Sequence, residues 1–243
     1  MKISAIVQAR MGSTRLPGKV LLDLGTKTVL ARVVNRLRRA TRIDEIVIAT
    51  SDSVADDVIV RECQQLGVSS FRGSEDDVLD RYYQAARACG AGAIVRITSD
   101  CPLIDPQLVD ETVKIFQHQC ADYGSNVFPR TYPRGLDTEV FTVAALEQAW
   151  CDAREPYERE HVTPYFYQHP ELFKLASRRG LIDYSQYRWT LDTAEDLELL
   201  RTIYARFGNE DDFTWREVIQ LMEREPELAE VNSCAVQKAL QGA

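Results

Sequence analysis

The chain reads as an α/β protein, a Rossmann-like doubly wound domain built on a mostly parallel sheet. Three observations predict this. Its first half alternates short apolar runs of strand length with segments of helical periodicity, at the pace of βαβ units. A glycine-bearing, cationic loop follows the first apolar run directly. Two aspartates, Asp100 and Asp192, stand where later apolar runs end, the edge along which open α/β sheets gather their ligands.

Residues 2–7 form the first strand. Val29, Leu30, Val33, Val34 and Leu37 recur at helical spacing behind Thr28, a suitable N-cap. Residues 45–49 are the next strand. Ser53 can cap a helix that runs to Leu66, with Gly67 just past its end. A short strand near Ser70 precedes a helix over about 77–89, closed by Gly90. Residues 93–98 make a strand that ends in the polar turn Ser99-Asp100-Cys101-Pro102, and Pro106 is placed to open another helix. The second half is less regular. Strands are expected at 122–127 and 136–141, helices at 143–153 and 156–169, then a strand at 187–191 leading into a helix at 194–207. A single domain over 1–243 is expected, with an inserted arm at about 127–141 that pairs two copies and a helical C-terminal tail at about 208–243.

A chain of 243 residues, 45% hydrophobic and 27% charged, has the balance of a globular protein with a substantial core. Its formal net charge of -8 argues against a nucleic-acid partner, which selects a basic face. No apolar run reaches membrane-spanning length and no signal peptide is legible, so a cytoplasmic protein without a membrane partner is expected. The six cysteines are scattered, with no Cys-x-x-Cys pair, as reduced thiols are.

The segment from Gln8 to Lys19, Gln-Ala-Arg-Met-Gly-Ser-Thr-Arg-Leu-Pro-Gly-Lys, carries the densest chemistry. Gly12 and Gly18 let backbone N–H groups approach a ligand, while Arg10, Arg15 and Lys19 supply two planar forks and a point charge, the combination a phosphate chain wants. The order is neither a Walker A loop nor a dinucleotide G-x-G-x-x-G. A solvated basic turn is the plainer alternative. Asp100, facing such a loop, is a natural magnesium ligand, although Ser-Asp before Cys-Pro also suits an Asx-turn. Asp192 repeats the pattern, and it also suits the N-cap of the helix that follows.

These residues together resemble the sugar-acid cytidylyltransferases, the CMP-Kdo and CMP-sialate synthetase superfamily, and within it the spore-coat polysaccharide cytidylyltransferase-like branch. The loop at 8–19, Arg96-x-Thr98-x-Asp100-Cys101-Pro102, Arg-Gly-Leu-Asp-Thr-Glu-Val-Phe at 134–141, Arg-Glu-His-Val-Thr-Pro at 159–164 and Arg-Trp-Thr-Leu-Asp-Thr at 188–193 carry the resemblance, which extends to about Phe207. It implies that Gln8, Ala9, Arg10, Gly12, Ser13, Arg15 and Lys19 bind the nucleotide, with Arg10, Arg15 and Lys19 holding its triphosphate. Thr50 and Asp52, with Arg72, Gly73 and Ser74, would surround the nucleoside, where Gly73-Ser74-Glu75-Asp76-Asp77 replaces the superfamily's Gly-Thr-Asp-Arg segment. Asp100 and Asp192 would bind Mg²⁺.

The same resemblance implies CTP and a sugar acceptor as substrates. The sugar hydroxyl attacks the α-phosphorus and pyrophosphate leaves, with Lys19, Asp100 and Asp192 as the catalytic set and no dedicated protein base. An acidic sugar of eight or nine carbons is the expected acceptor, its carboxylate received by Arg130, Arg134 or Arg159. Asp137 and Glu139 alternate and face one side, where they either contact the sugar or pair with Arg130 and Arg134. His161 lies on the substrate side or simply packs on its helix. Cys101 lacks a neighbouring base and reads as packing. Two other classes stay open: a metal-dependent glycosyltransferase taking a ready-made nucleotide-sugar, and a non-catalytic polysaccharide-assembly protein that keeps the fold alone.

Overall fold

In the structure, a computed structural model that describes residues 1–235, seven strands share one sheet. They are β1 (Ile3–Gln8), β2 (Glu45–Ser51), β3 (Ser69–Gly73), β4 (Ala93–Thr98), β5 (Tyr123–Ser125), β6 (Glu139–Thr142) and β7 (Leu175–Ser177). Their spatial order is β3-β2-β1-β4-β6-β5-β7, and β6 alone runs antiparallel to its neighbours β4 and β5. The chain leaves β1 towards β2 and β3, then returns to lay β4 along β1's other edge, Gln8 opposite Thr98. That reversal is the topological switch point, and it opens a crevice at the carboxyl ends of β1 and β4. The loops that begin at Ala9 and Ser99 therefore face it.

Alternation along β1 assigns the two faces. Ile3, Ala5 and Val7 pack with Leu30, Val33 and Leu37 of helix α1 (Val29–Leu37), Ile59 and Cys63 of α2 (Asp57–Leu66), and Val109 and Val113 of α4 (Pro106–His118). Ile6 points the other way, into Leu79 and Tyr82 of α3 (Val78–Ala88) and Leu146 of α5 (Val143–Asp152). A third cluster joins Trp189, Leu191, Tyr132 and Leu136 to α8 (Ala194–Arg206) and α9 (Trp215–Arg224). Two of the predicted ends form: Thr28 accepts from the Ala31 N–H at 3.0 Å, and Gly67 ends α2 in the left-handed region. Ser53 does not cap α2; it opens a 3₁₀ turn at Val54–Asp56 without a side-chain cap bond, and α2 begins at Asp57.

Two arginines of α1 are wholly buried, against the usual rule for charges. Arg32 donates to Asp211 Oδ1 at 3.1 Å and to the Asn209 carbonyl at 2.7 Å, with its guanidinium 4.3 Å over the Tyr204 ring. Arg36 reaches the carbonyls of Ile104, Asp211 and Phe213. Burial alone would raise the Asp211 carboxyl, but Lys27, Asn35 and Arg32 together hold it below the usual carboxylate range. Its contribution is thus present above the unfolded carboxyl's pKa and is lost as pH falls through the lower folded value. Asp211→Ala leaves a buried cation uncompensated, an expected loss of about 3–5 kcal/mol, or roughly 10 °C in Tm for a chain of this size. Thermal melts followed by circular dichroism check it; an unchanged Tm would mean that the carbonyls alone satisfy Arg32.

The second half departs from expectation in four places. The strand predicted at 187–191 makes a single bridge, Arg134 to Arg188, because fully buried Trp189 and Leu191 dive into the third cluster rather than join the sheet. The helix predicted at 156–169 is two, α6 (Pro156–His161) and α7 (Pro164–Gln168), since Pro164 has no N–H to continue the ladder. β7 was not foreseen, being three residues long, too short for a period to show. The segment at 127–141 does not project as an arm: Tyr132 and Leu136 are buried in the body and the segment walls the crevice. Of the predicted tail, α9 and a 3₁₀ turn at Pro226–Ala229 are present, and residues 236–243 lie outside the described residues.

Candidate active site

The loop after β1 is fixed from below by a buried carboxylate. Asp56 accepts from the Met11 N–H at 2.7 Å, the Thr50 hydroxyl at 3.0 Å and the Ser51 hydroxyl at 2.5 Å. Burial would raise its pKa, yet these donors hold it low, so it remains an anion at the root of a cationic loop. Gly18 then turns the chain at φ 67°, a left-handed conformation that costs a glycine little, and the following 3₁₀ turn Lys19–Leu21 sends Lys19 back into the crevice.

Lys19 Nζ donates to Asp100 Oδ2 at 2.7 Å, to Asp192 Oδ1 at 2.9 Å and to the Leu191 carbonyl at 2.8 Å. The two aspartates, 92 positions apart in sequence, thus meet at one ammonium group. Backbone bonds bring them together: the Asp100 carbonyl accepts from the Leu191 N–H at 2.8 Å and the Thr190 hydroxyl at 3.3 Å. Gly135, at φ 101°, lets the neighbouring chain lie against Trp189, whose carbonyl carbon an added Cβ would meet at 2.6 Å. Asp192 is not the cap of α8; Thr193 is, accepting from the Asp196 N–H, so the Asp192 carboxylate is left for the crevice.

Asp192 Oδ2 also takes Arg15 at 2.9 Å and Arg188 at 2.7 Å. Burial works against the charged form of both partners, but their mutual attraction wins: Lys19 is raised above an ordinary lysine and Asp192 is lowered. Arg188 is in turn steered by fully buried Asp196, which itself holds the backbone N–H groups of Asp192 and Thr193.

A cleft of about 1290 Å³ runs outward from this cluster, room for a nucleotide and a second substrate. Gln8, Arg15, Asp100, Arg134, Asp137, Glu139, His161 and Asp192 all line it. Asp137 is held by both forks of Arg130, the farther at 2.7 Å, and Glu139 is paired with Arg96 while accepting the Tyr123 hydroxyl at 2.6 Å. Of the alternatives for these two carboxylates, pairing with arginine is what the structure has, although Glu139's partner is Arg96. Arg134 is different. Its guanidinium has no hydrogen-bond or ion-pair partner among the described residues, and burial, with Arg130 nearby, lowers its pKa.

The nucleoside residues are placed less uniformly. Asp52 and Gly73 join β2 to β3 through a 2.9 Å bond beside the phosphate loop, and Gly12 abuts Glu75. The Ser74 hydroxyl accepts from the Asp77 N–H at 3.0 Å. Ala9 ties the loop to Ala49 at 3.1 Å, and the Ser13 hydroxyl closes the loop on Leu16. Thr50 is spent on Asp56, and Arg72 on Asp57 and the Ser51 and Ser53 carbonyls. Arg10 is exposed and does not line the cleft. Arg159, expected as a carboxylate receiver, instead ties Asp77 at 2.7 Å and the carbonyls of Trp150 and Ala153, away from the cleft. Cys101 is buried with its thiol pushed well up, as a packing residue should be.

Sequence reasoning missed Asp56, Arg81, Arg96, Arg188 and Asp196. Arg96 had a signal, a lone charge in the middle of Ile94-Val95-Arg96-Ile97. Arg81 lies buried behind Gly73 with its Nε unpaired and its Nη1 on the Ser74 carbonyl at 2.6 Å. Nothing in its helical surroundings marks it.

Two aspartates offer hard oxygen donors at one point, which suits Mg²⁺. No group of three or more His, Cys, Asp or Glu side chains able to hold a metal occurs among the described residues.

Comparison with known proteins agrees with this geometry. The family model for cytidylyltransferases matches residues 4–224. The spore coat polysaccharide biosynthesis protein SpsF of Bacillus subtilis is 38% identical over 231 residues, 92% of this chain and 95% of that protein. The 3-deoxy-manno-octulosonate cytidylyltransferase of Solibacter usitatus is 32% identical over 213 residues, 83% of this chain and 82% of the enzyme. The solved structure of a cytidylyltransferase from Leptospira borgpetersenii superposes with a TM-score of 0.91 at 36% identity, over 98% of this chain and 99% of that one. With the switch-point crevice, the loop at its mouth and the paired aspartates inside it, the chain belongs to the cytidylyltransferase family.

Proposed function

We propose that the protein transfers CMP from CTP to a hydroxyl of an acidic sugar, releasing pyrophosphate, as a step in surface-polysaccharide synthesis. The observation that carries this reading is the meeting of Lys19, Asp100 and Asp192 at the inner end of a cleft whose outer part holds the unpaired Arg134. Arg10, Arg15 and Lys19 stabilise the charge that develops on the departing pyrophosphate. Asp100 and Asp192 would hold Mg²⁺, which would supply charge neutralisation at the α-phosphate. Arg134 orients the acceptor by its carboxylate, a fork-to-fork contact that fixes both position and angle. A cytoplasmic homodimer completes the reading. No helix among the described residues is long and apolar enough to cross a membrane, and Leu175 on edge strand β7, with Leu181 and Ile182 beyond it, leaves apolar surface for a second copy.

The test is pyrophosphate release from each of CTP, UTP, ATP and GTP with Mg²⁺, against a panel of sugar acids that includes 3-deoxy-manno-octulosonate and their neutral counterparts. CTP with an acid should be the productive pair. Turnover of a nucleotide-sugar instead would favour a glycosyltransferase. Arg134→Ala should raise KM for the acid by about 10-fold or more, the loss of a charge-assisted pair, and leave KM for CTP nearly unchanged. Equal rises in both constants, with dissociation in sedimentation runs, would place Arg134 at a subunit contact.

A further inference from the structure

Between α6 and α7 the backbone does something that neither helix requires. The His161 carbonyl accepts from the Thr163 N–H at 2.8 Å, and Val162 between them has φ 71° and ψ -51°. This is the rare γ-turn of the strained hand, centred on a β-branched residue that seldom takes a positive φ. Val162 is fully buried, so the turn is held in place by the packing around it. Backbone strain of this kind gathers at functional sites. His161, the residue before it, lies in the wall of the cleft that Asp100, Asp192 and Arg134 also line.

His161 is distinguished by having nothing else to do. Among the described residues its ring has no hydrogen-bond partner. The carboxylates that share the cleft are committed: Asp100 and Asp192 to Lys19, Asp137 to Arg130, Glu139 to Arg96. Glu160 is uncommitted but exposed at the rim. We propose that His161 is the general base of the reaction, accepting the proton of the acceptor hydroxyl as that oxygen attacks the α-phosphorus of CTP. The new bond is acceptor O–P, the bond broken joins the α-phosphorus to the bridging oxygen, pyrophosphate leaves with that electron pair, and the imidazolium returns its proton to solvent. The inference rests on the CMP-transfer reading above and adds a residue for the proton, which the sequence left without a protein acceptor.

The electrostatics support the role. Burial lowers the His161 pKa first, Glu160 on its own helix opposes this, and Arg96 from β4 with Arg10 from the phosphate loop push it down again. Tyr157 and Tyr167 line the same wall; Tyr167 is pushed up to about 12, mainly by burial, and stays uncharged. His161 is therefore neutral at neutral pH, the form that takes a proton.

The experiment compares wild type, His161→Gln and His161→Ala over pH 5 to about 9 with CTP, Mg²⁺ and 3-deoxy-manno-octulosonate or whichever acid the panel above shows to turn over. Both variants should lose about 100-fold in kcat at neutral pH, and imidazole added to His161→Ala should restore part of it. The ratio of wild-type to variant rate should shrink as pH falls below the ordinary histidine range, a comparison that cancels the titration of CTP itself. A ratio independent of pH, with no rescue, would make His161 a binding or packing residue and overturn the inference while leaving CMP transfer intact. Histidine ring resonances, assigned with His161→Gln, give a readout independent of turnover: His161 should titrate below the ordinary histidine range, and protonation above neutral pH would exclude it as the base. A wild type inactive with every nucleotide and acid would overturn the function itself, and the base role with it.

Discussion

Lys19→Met is expected to lower kcat/KM for CTP by about 10²–10³, the scale set by removal of a preorganised charge from a reacting oxyanion. The three bonds made by Lys19 Nζ go to Asp100, Asp192 and the Leu191 carbonyl, and the ammonium is nearly enclosed, with 12% of its side chain exposed. Its pKa is raised because Asp100 and Asp192 outweigh the cost of burial, so the charge is present at any working pH and no titration of Lys19 will shape the rate profile. Folding should suffer far less. Asp192 keeps Arg15 and Arg188, so the substitution does not strand its carboxylate. Steady-state pyrophosphate release beside a thermal melt separates the two effects. A variant with wild-type kcat/KM would show that the loop cation is ornamental to catalysis, and a collapsed Tm would make it structural.

Asp100→Asn should cost about 100-fold or more in kcat, a few kcal/mol of charge stabilisation. The amide keeps the shape of the carboxylate and its place beside Cys101, and Lys19 retains two of its three partners, Asp192 and the Leu191 carbonyl. What changes is one formal charge at the point where the Mg²⁺ is expected. The dependence of rate on Mg²⁺ should therefore move to higher concentration as well as lower plateau, whereas Lys19→Met should lower the plateau for CTP with a smaller shift in the metal curve. Rates that respond to Mg²⁺ as in wild type, with kcat unaltered, would remove Asp100 from the metal site and leave Asp192 to explain alone.

In the resting structure, Lys19 stands where a cation between two carboxylates is wanted. Asp100 and Asp192 would hold Mg²⁺ here, where it would supply charge neutralisation for a bound triphosphate. The cluster is thus balanced before substrate binds: Arg15, Lys19 and Arg188 face Asp100, Asp192 and Asp196. A balanced cluster holds its geometry without substrate, and preorganisation of that kind is where electrostatic catalysis draws its strength.

The amino-acid sequence by itself determined the doubly wound first half, because there each element announces itself locally. Residues 3–8 and 93–98 are apolar runs of strand length, Thr28, Gly67 and Pro106 mark helix ends, and each signal is satisfied within a few residues of where it is written. It also determined the site's inner end, since a cationic glycine loop after a first strand and an aspartate after a fourth can meet only at a switch point. Tertiary structure alone decided the rest. Arg159 and Arg134 read alike as cations near a substrate, yet one is tied to Asp77 and the other is unpaired, a difference set by partners far away in the chain. Asp192 read both as a crevice carboxylate and as a helix cap; Thr193 takes the cap, and Arg188, held by Asp196, pairs with the Asp192 carboxylate. Arg96 and Glu139, Asp56 and the loop above it, and the strained turn at Val162 are likewise long-range facts. Local sequence fixes backbone propensity within a turn or two, whereas which charge neutralises which is settled only when the sheet order brings strands β4 and β6 and the segment at 188–192 around one cleft.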